Sequence, residues 1–376
     1  MPIRHHAAAL IAATLLLAVP LAAVAQVFTS ELQRFRAVTL TAGLEYPWGL
    51  AFLPDGRLLV TERPGRLRIV DADGRLDPRP LEGTPPVAAV GQGGLLDIAL
   101  HPDFAENRLV YLSYAGEGAG GYGTEVARGR LEGHALRDMQ VIFRMEPKTR
   151  RGHHFGSRLV FDGKGHLFIT LGDRGDMERA QRLDDHAGSV IRLHDDGRVP
   201  ADNPFVGKPG AKPEKFTLGN RNMQGAALHP HSGLLWTHEH GPQGGDEINV
   251  IRAGVNYGWP VITYGRNYGT GTQIGEGTAK AGMAQPLLQW TPSIAPSGMA
   301  FCTGERFPKW KGNLFVGALK FQMLVRLELD GERVVREERL LQGALGRIRD
   351  VRQGPDGLIY LLIDSDKGRI VRLEPA

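Results

Sequence analysis

Only one cysteine occurs in the 376 residues, Cys302. No internal disulfide can form, even in an oxidising compartment. Its place in the apolar run Met299-Ala300-Phe301-Cys302 reads as a buried, inert thiol. Long basic tracts are also missing and the formal net charge is only +4, which excludes a nucleic-acid partner. A local cluster of Arg and Lys around a small anionic ligand fits that balance better. Few stretches carry a helical period, which argues against a helical bundle. No low-complexity linker divides the chain, so residues 26–376 read as one domain. Beyond the first residues there is no apolar run long enough to span a bilayer, so the mature form is expected to lack a membrane span.

Those first residues have a composition of their own. Arg4 is followed by an apolar run from Ala7 to Leu21 and then by Ala23-Val24-Ala25 before Gln26. This reads as a secretory signal peptide over residues 1–25, cleaved after Ala25. A retained anchor is the alternative, but the run is shorter than the ~20 residues a spanning helix needs. The mature protein is therefore expected to be secreted, or periplasmic in a Gram-negative source.

With 50 glycines and 24 prolines, the remainder reads as all-β. Trp48 to Glu62 shows an apolar strand, a Pro54-Asp55-Gly56 turn and a second strand ending in polar residues. Asp-Gly turns favour tight hairpins, and the alternation on both sides suits half-buried strands. The same template returns at Leu95–Tyr114, Ser157–Gly172, Gly225–Glu239, Gly298–Ala318 and Ile348–Asp364, six copies in all. A strand-turn-strand unit repeated at tens of residues must bury its faces against neighbouring copies. The fold expected is a six-bladed β-propeller, with the active site in the loops at one face. A β-sandwich array is the alternative. Uneven spacing leaves long connections at Gly116–Gly123, Asp173–Asp185, Asn203–Asn222 and Gly241–Gly282, which read as ordered coil and as the places to look for function.

Four motifs there carry chemistry. Gly152-His153-His154-Phe155-Gly156 precedes the third copy, and Asp173 follows its outgoing strand, so Asp173 returns to the same face and can orient the His154 imidazole as a general base. By themselves, adjacent histidines are also ordinary surface residues. Gly219-Asn220-Arg221-Asn222 opens the fourth copy: Arg221 offers a fork for a carboxylate or a ketone oxygen and Asn222 an amide donor, although an Asn-stabilised turn reads equally well. In His238-Glu239-His240-Gly241-Pro242, strand alternation sends the histidines to one face and Glu239 to the other, which argues against zinc. Carbonyls of the Gly241-Pro242 turn with Asp246 and Glu247 suit calcium, a hard cation. Lys320 ends a strand, and Arg347 and Arg349 lie two apart, so these three cations can surround an anion or simply be solvated.

Taken together and in this order, the motifs resemble those of the soluble PQQ-dependent aldose sugar dehydrogenases, relatives of soluble quinoprotein glucose dehydrogenase. The resemblance runs from Tyr46-Pro47-Trp48-Gly49 through Gly91-Gln92-Gly93-Gly94 to Arg347-Ile348-Arg349-Asp350. It implies a six-bladed propeller that oxidises aldoses at C1 to the aldonolactone. It implies His154 as the base that takes the proton of the anomeric hydroxyl, with hydride passing from C1 to the quinone. Asp173 would orient His154, and Arg221 would lie against the quinone carbonyls. Gln92, Asn222, Lys320, Arg347 and Arg349 would hold PQQ with Arg221. The carbonyls of Gly241 and Pro242 would bind a calcium ion that touches the cofactor. Glu247 and the Tyr257 carbonyl, with Asp246 less securely, would form a second calcium site. Electrons would pass to an external acceptor. His153 and His240 stand where the glucose dehydrogenase branch has an aspartate and a glutamine, so the resemblance implies a broad range of aldoses rather than strict glucose preference. Two other classes use related propellers: calcium-dependent sugar lactonases, which need a carboxylate-rich axial metal site, and non-catalytic binding propellers, which need an exposed apolar patch.

Overall fold

Each turn identified in the sequence closes a hairpin. Around Pro54-Asp55-Gly56, the Leu53 amide donates to the Arg57 carbonyl at 2.8 Å, and Gly56 takes φ +86°. Strands Pro47–Phe52 and Leu58–Glu62 thereby pair antiparallel. The computed structural model describes residues 26–376, so the leader reading of residues 1–25 lies outside the described residues.

Six sheets result, each opening with one copy of the repeat. Blade 1 adds Arg66–Val70 to its hairpin. Blade 2 comprises Leu95–Leu100, Leu109–Gly118, Gly121–Glu132 and Ala135–Arg144. Blade 3 comprises Leu159–Phe161, His166–Thr170 and Val190–His194. Blade 4 comprises Gly225–Leu228, Leu235–Glu239, Asp246–Val250 and Leu288–Trp290. Blade 5 comprises Pro296–Phe301, Leu314–Ala318, Met323–Asp330 and Arg333–Leu340. Blade 6 takes Ile348–Gln353, Ile359–Ile363 and Gly368–Pro375 from the end of the chain and is completed by Arg34–Leu44 and Val27–Thr29 from its beginning. Antiparallel pairing from Phe35↔Pro375 to Leu44↔Gly368 closes the ring. The fold is a six-bladed β-propeller with almost no helix: a four-residue α-helix, Phe104–Asn107, and two short 3₁₀ turns among the described residues. Among the described residues no helix is long and apolar enough to cross a membrane.

Alternation explains why the blades stack. Leu58 and Val60 pack toward blade 6 while Leu59, between them, packs toward blade 2. In blade 3, Leu167 and Ile169 face blade 2 and Phe168 faces blade 4. Inner strands such as Leu58–Glu62 and His166–Thr170 are thus buried on both faces, while outer ones such as Arg333–Leu340 stay largely exposed, and the core is a series of apolar layers between neighbouring blades.

The first strand of every blade lines the axis, and there the fill is ionic. Arg158 of blade 3 lies 3.0 Å from both Asp97 of blade 2 and Asp350 of blade 6, and its guanidinium sits 4.3 Å from the centre of the Trp48 ring of blade 1. Arg352 binds the same two carboxylates at 2.6 and 2.8 Å. Two arginines and two aspartates therefore neutralise one another across the axis. One expected connection differs: Gly116–Gly123 is no loop but the tip of a long hairpin, with Gly118 opposite Gly121. The Asp173–Asp185 connection holds a 3₁₀ turn, Met177–Gln181.

Candidate active site

The segments that enter the first strands and those that leave the second strands meet at one end of the ring. His154 is on the approach to blade 3 and Asp173 lies just past that blade's second strand, so one hairpin brings them together. His154 Nδ1 and Asp173 Oδ1 are 2.6 Å apart. Asp173 Oδ1 also accepts the Gly175 amide at 2.6 Å, and Oδ2 accepts the indole N–H of Trp259 at 2.9 Å. With Nδ1 committed to the carboxylate, Nε2 is the nitrogen left for a ligand.

The approach segment is strained. His154 has φ +57° and Ser157 φ +88°, in the left-handed region that non-glycine residues rarely occupy. Its amides are held from outside: that of His154 donates to Gln92 Oε1 at 2.9 Å and that of Gly156 to Asn222 Oδ1 at 3.1 Å. Gly172 must lack a side chain, because a Cβ there would stand 2.1 Å from the His154 carbonyl oxygen.

Burial lowers the His154 pKa below the ordinary imidazole range, aided by the Arg221 charge and opposed by the bond to Asp173. For Asp173, burial pushes upward, but the His154 bond and charge, the Arg221 charge and the Gly175 amide outweigh it and hold the carboxyl low. The pair therefore rests as a neutral imidazole beside a carboxylate at neutral pH.

Arg221 Nη1 donates to the His240 carbonyl at 2.8 Å, and its guanidinium lies 5.2 Å from the centre of the Trp259 ring. His154, Asp173, Arg221, Gln92, Pro242 and Trp259 line a cleft of about 410 Å³. Gln92 also lines a second cleft of about 420 Å³, with Trp48, Arg63, His240, Arg347, Arg349 and Asp364. Arg349 Nη1 donates to Gln224 Oε1 at 2.8 Å, and Arg347 and Arg349 each reach Asp364 Oδ2 at 3.2 Å. Buried Arg221 Nε, Asn222 Nδ2 and Arg349 Nε have no protein acceptor. Donors without partners beside two adjoining clefts suit an anionic ligand rich in acceptor oxygens.

Lys320 is not in that group. It is exposed on the rim, its ammonium 5.1 Å from the centre of the Phe321 ring. Asp246 is turned elsewhere: Oδ1 accepts the Gly241 amide at 2.8 Å, and Oδ2 accepts those of Ile294 and Ala295 at 2.7 and 3.0 Å. It clamps the Gly241-Pro242 turn to blade 5. The Pro242 carbonyl accepts the Arg266 amide at 2.9 Å.

Glu239 and Glu247 face each other across blade 4 and border a small cavity with Arg221, His240, Gly241 and Tyr257. Burial, together with each other's charge for Glu247, raises both carboxyls above the ordinary range. Among the described residues no Lys or Arg side chain forms an ion pair with either, and no three His, Cys, Asp or Glu side chains converge on one point. One buried and one half-buried carboxylate bordered by backbone oxygens suit a hard cation, with carbonyls completing the shell. His238 and His240 point the other way, each ring bonding a carbonyl of blade 5, Ser297 and Pro296.

Sequence reasoning passed over Trp259, Glu239 and Asp364. A signal for the last two existed: acids recur where the second strand of the repeat ends, at Glu62, Asp173, Glu239 and Asp364. Trp259 stands in the run Asn256-Tyr257-Gly258-Trp259-Pro260, which no repeat register places.

Fold and clefts define a six-bladed propeller with a polar, cation-lined mouth. The family model described as glucose / sorbosone dehydrogenase matches residues 44–372, and the chain belongs to that family. It is 47% identical over 338 residues to the aldose sugar dehydrogenase YliI of Escherichia coli, covering 88% of this chain and 91% of that one. The crystal structure of the soluble aldose sugar dehydrogenase of Escherichia coli in its apo form superposes with a TM-score of 0.88 at 46% identity, covering 91% of this chain and 100% of that one. The PQQ-bound form of the aldose sugar dehydrogenase of Streptomyces coelicolor superposes with a TM-score of 0.75 at 31% identity, covering 90% and 98%.

Proposed function

We propose that this protein oxidises aldose sugars at C1 to the aldonolactone with PQQ and calcium, and passes the electrons to an external acceptor. The observation that carries the reading is the His154–Asp173 pair, a part-buried imidazole bonded to a buried carboxylate, opening on the same cleft as Arg221. The names borne by its relatives support it. PQQ, when bound, supplies a quinone that accepts hydride from the sugar C1, and calcium supplies a Lewis acid beside it.

The chain's own groups do the rest. His154 Nε2 takes the proton of the anomeric hydroxyl, and the Asp173 carboxylate keeps the ring in the receptive tautomer and stabilises the imidazolium that forms. Arg221 presents a fixed cation where negative charge grows. Gln92 and Asn222 hold both the His154 segment and, through its free Nδ2, the ligand. Arg347 and Arg349, sharing one Asp364, leave net positive charge for carboxylates of the cofactor, with Lys320 reaching in from the rim. Gly241 and Pro242 carbonyls are assigned to one calcium. Glu247 and Tyr257, joined by Glu239, are assigned to another. Asp246 serves as the clamp of that turn.

An axial hydrolytic metal is disfavoured, since Asp97 and Asp350 are already paired with Arg158 and Arg352. The leader residues support export. The test is dye reduction by the chain loaded with PQQ and calcium across a panel of aldoses. No turnover with any aldose contradicts the proposal, and lactone hydrolysis by PQQ-free, calcium-loaded protein favours a lactonase.

A further inference from the structure

Trp259 touches both polar groups of the reactive cleft at once. Its indole N–H donates to Asp173 Oδ2 at 2.9 Å, and its ring face lies 5.2 Å from the Arg221 guanidinium carbon. The residue is itself immobile: it is 6% exposed. Its amide donates to the Gly219 carbonyl at 2.8 Å, and its carbonyl accepts Gln181 Nε2 at 2.7 Å. The ring packs against Ala180, Ile274 and Met177.

We propose that Trp259 is a positioning residue for the reaction, a rigid indole that fixes the Asp173 carboxylate plane through its N–H and the Arg221 guanidinium through its face. The proposal rests on the reading of His154 as the base. A carboxylate hung on a short side chain can rotate and exchange its oxygens. Here the indole N–H holds Oδ2, which leaves Oδ1 to His154 Nδ1 and the Gly175 amide, each at 2.6 Å. A tryptophan present only to fill space would need no aligned donor, and the bond points from the indole edge at a group that is 1% exposed. Because an anion shared with a third donor is a weaker acceptor for the imidazole, the indole also moderates how strongly Asp173 favours protonated His154.

The groups that act on His154 are Asp173, Arg221 and Arg174 by charge, and His153 through a ring contact of 4.8 Å between centres; His240 lies within their field. Of these, only Asp173 accepts the indole bond, and Trp259→Phe removes that bond while keeping an aromatic face for Arg221.

The test uses cofactor-free protein with nitrogen-15 labelled histidine and tryptophan, followed by NMR as pH is varied. In Trp259→Phe the freed carboxylate binds His154 more strongly, so the His154 titration midpoint rises by roughly half a unit. In the wild type, the Trp259 indole resonance shifts with the same midpoint as His154. A His154 midpoint unchanged in Trp259→Phe overturns the proposal. Should that variant fail to fold, an indole resonance in the wild type that ignores the His154 titration overturns it equally. In the loaded enzyme, the acid limb of kcat/KM moves up by the same amount in Trp259→Phe, which loss of packing alone would not produce. If the loaded wild type oxidises no aldose, the functional reading fails while the NMR titration still decides the role of Trp259.

Discussion

Replacing Asp173 by Asn preserves the shape of the side chain and removes one acceptor and one charge. Three N–H donors converge on the carboxylate: His154 Nδ1 and the Gly175 amide at 2.6 Å each, and Trp259 Nε1 at 2.9 Å. An amide has one oxygen and one NH₂ to offer them. With the oxygen toward His154, the NH₂ confronts the indole N–H and a buried donor goes unsatisfied, at a cost of about 1–3 kcal/mol. With the oxygen toward Trp259, the NH₂ confronts Nδ1 and selects the tautomer with its proton on Nε2, which cannot act as a base. Charge is lost in either case. A carboxylate about 4 Å from an imidazolium contributes about 4 kcal/mol at an effective dielectric near 20, or roughly a thousandfold in rate. Asp173→Asn should therefore lose ~10³–10⁴ in kcat with little change in KM, and ~1–3 kcal/mol of stability. The pH profile adds a signed check. The wild-type acid limb lies below the ordinary imidazole value because burial lowers the His154 pKa, and activity is lost as pH falls through it. Since the Asp173 bond opposes that lowering, the residual limb of the variant should move lower still. Steady-state dye reduction and the nitrogen-15 shifts of His154 read both effects. A variant that keeps kcat within about tenfold of wild type would show that Asp173 does not sustain His154 as the base.

Two further predictions concern stability. Arg158→Met leaves Asp97 and Asp350, both buried, with only Arg352 as partner, which should cost about 3–5 kcal/mol and, for a chain of this size, lower Tm by roughly 4–7 °C in a thermal melt; an unchanged Tm would show that the axial network does not hold the blades. The raised pKa values of Glu239 and Glu247 mean that the stability linked to their protonated forms is present below the ordinary carboxylate range and lost as pH rises through their folded values. Calcium should offset that loss, so its addition should raise Tm more at pH ~7.5 than at ~5.5. Glu247→Gln should be more stable than wild type without calcium at the higher pH and should lose most of the calcium response; a full response in the variant would contradict the assignment.

How much of this was legible beforehand follows from what the repeat encodes. All six hairpins were visible because a turn residue and two alternating strands suffice to mark one, and the same hairpin geometry brought Asp173 back to His154. Ring closure was not visible: Arg34–Leu44 has no turn template, and its partner strand Gly368–Pro375 lies at the far end of the chain. Gly116–Gly123 looked like coil on composition, yet its glycines make room for a neighbour, since a Cβ on Gly116 would come 2.3 Å from Glu125 Cδ. Lys320 was grouped with Arg347 and Arg349 because it ends a strand. The two residues that follow it, Phe321 and Gln322, take φ +64° and +49°, and the chain turns over there and leaves the ammonium on the rim. Trp259 sits in the irregular stretch between Val250 and Leu288, where position depends on tertiary contacts that no local pattern reports.

In the proposed reaction one part-buried imidazole, held by Asp173, drives sugar oxidation on a quinone at the propeller mouth. It is tested most directly by a single turnover. The chain loaded with PQQ and calcium is mixed anaerobically with excess glucose, or with the aldose most active in the dye assay, and the quinone absorption is followed for wild type and His154→Gln. Rapid bleaching is expected in the wild type, and in the variant an unaltered starting spectrum that bleaches slower by orders of magnitude. Equal bleaching rates in the two proteins, or no bleaching of a fully loaded wild type by any aldose, would contradict it.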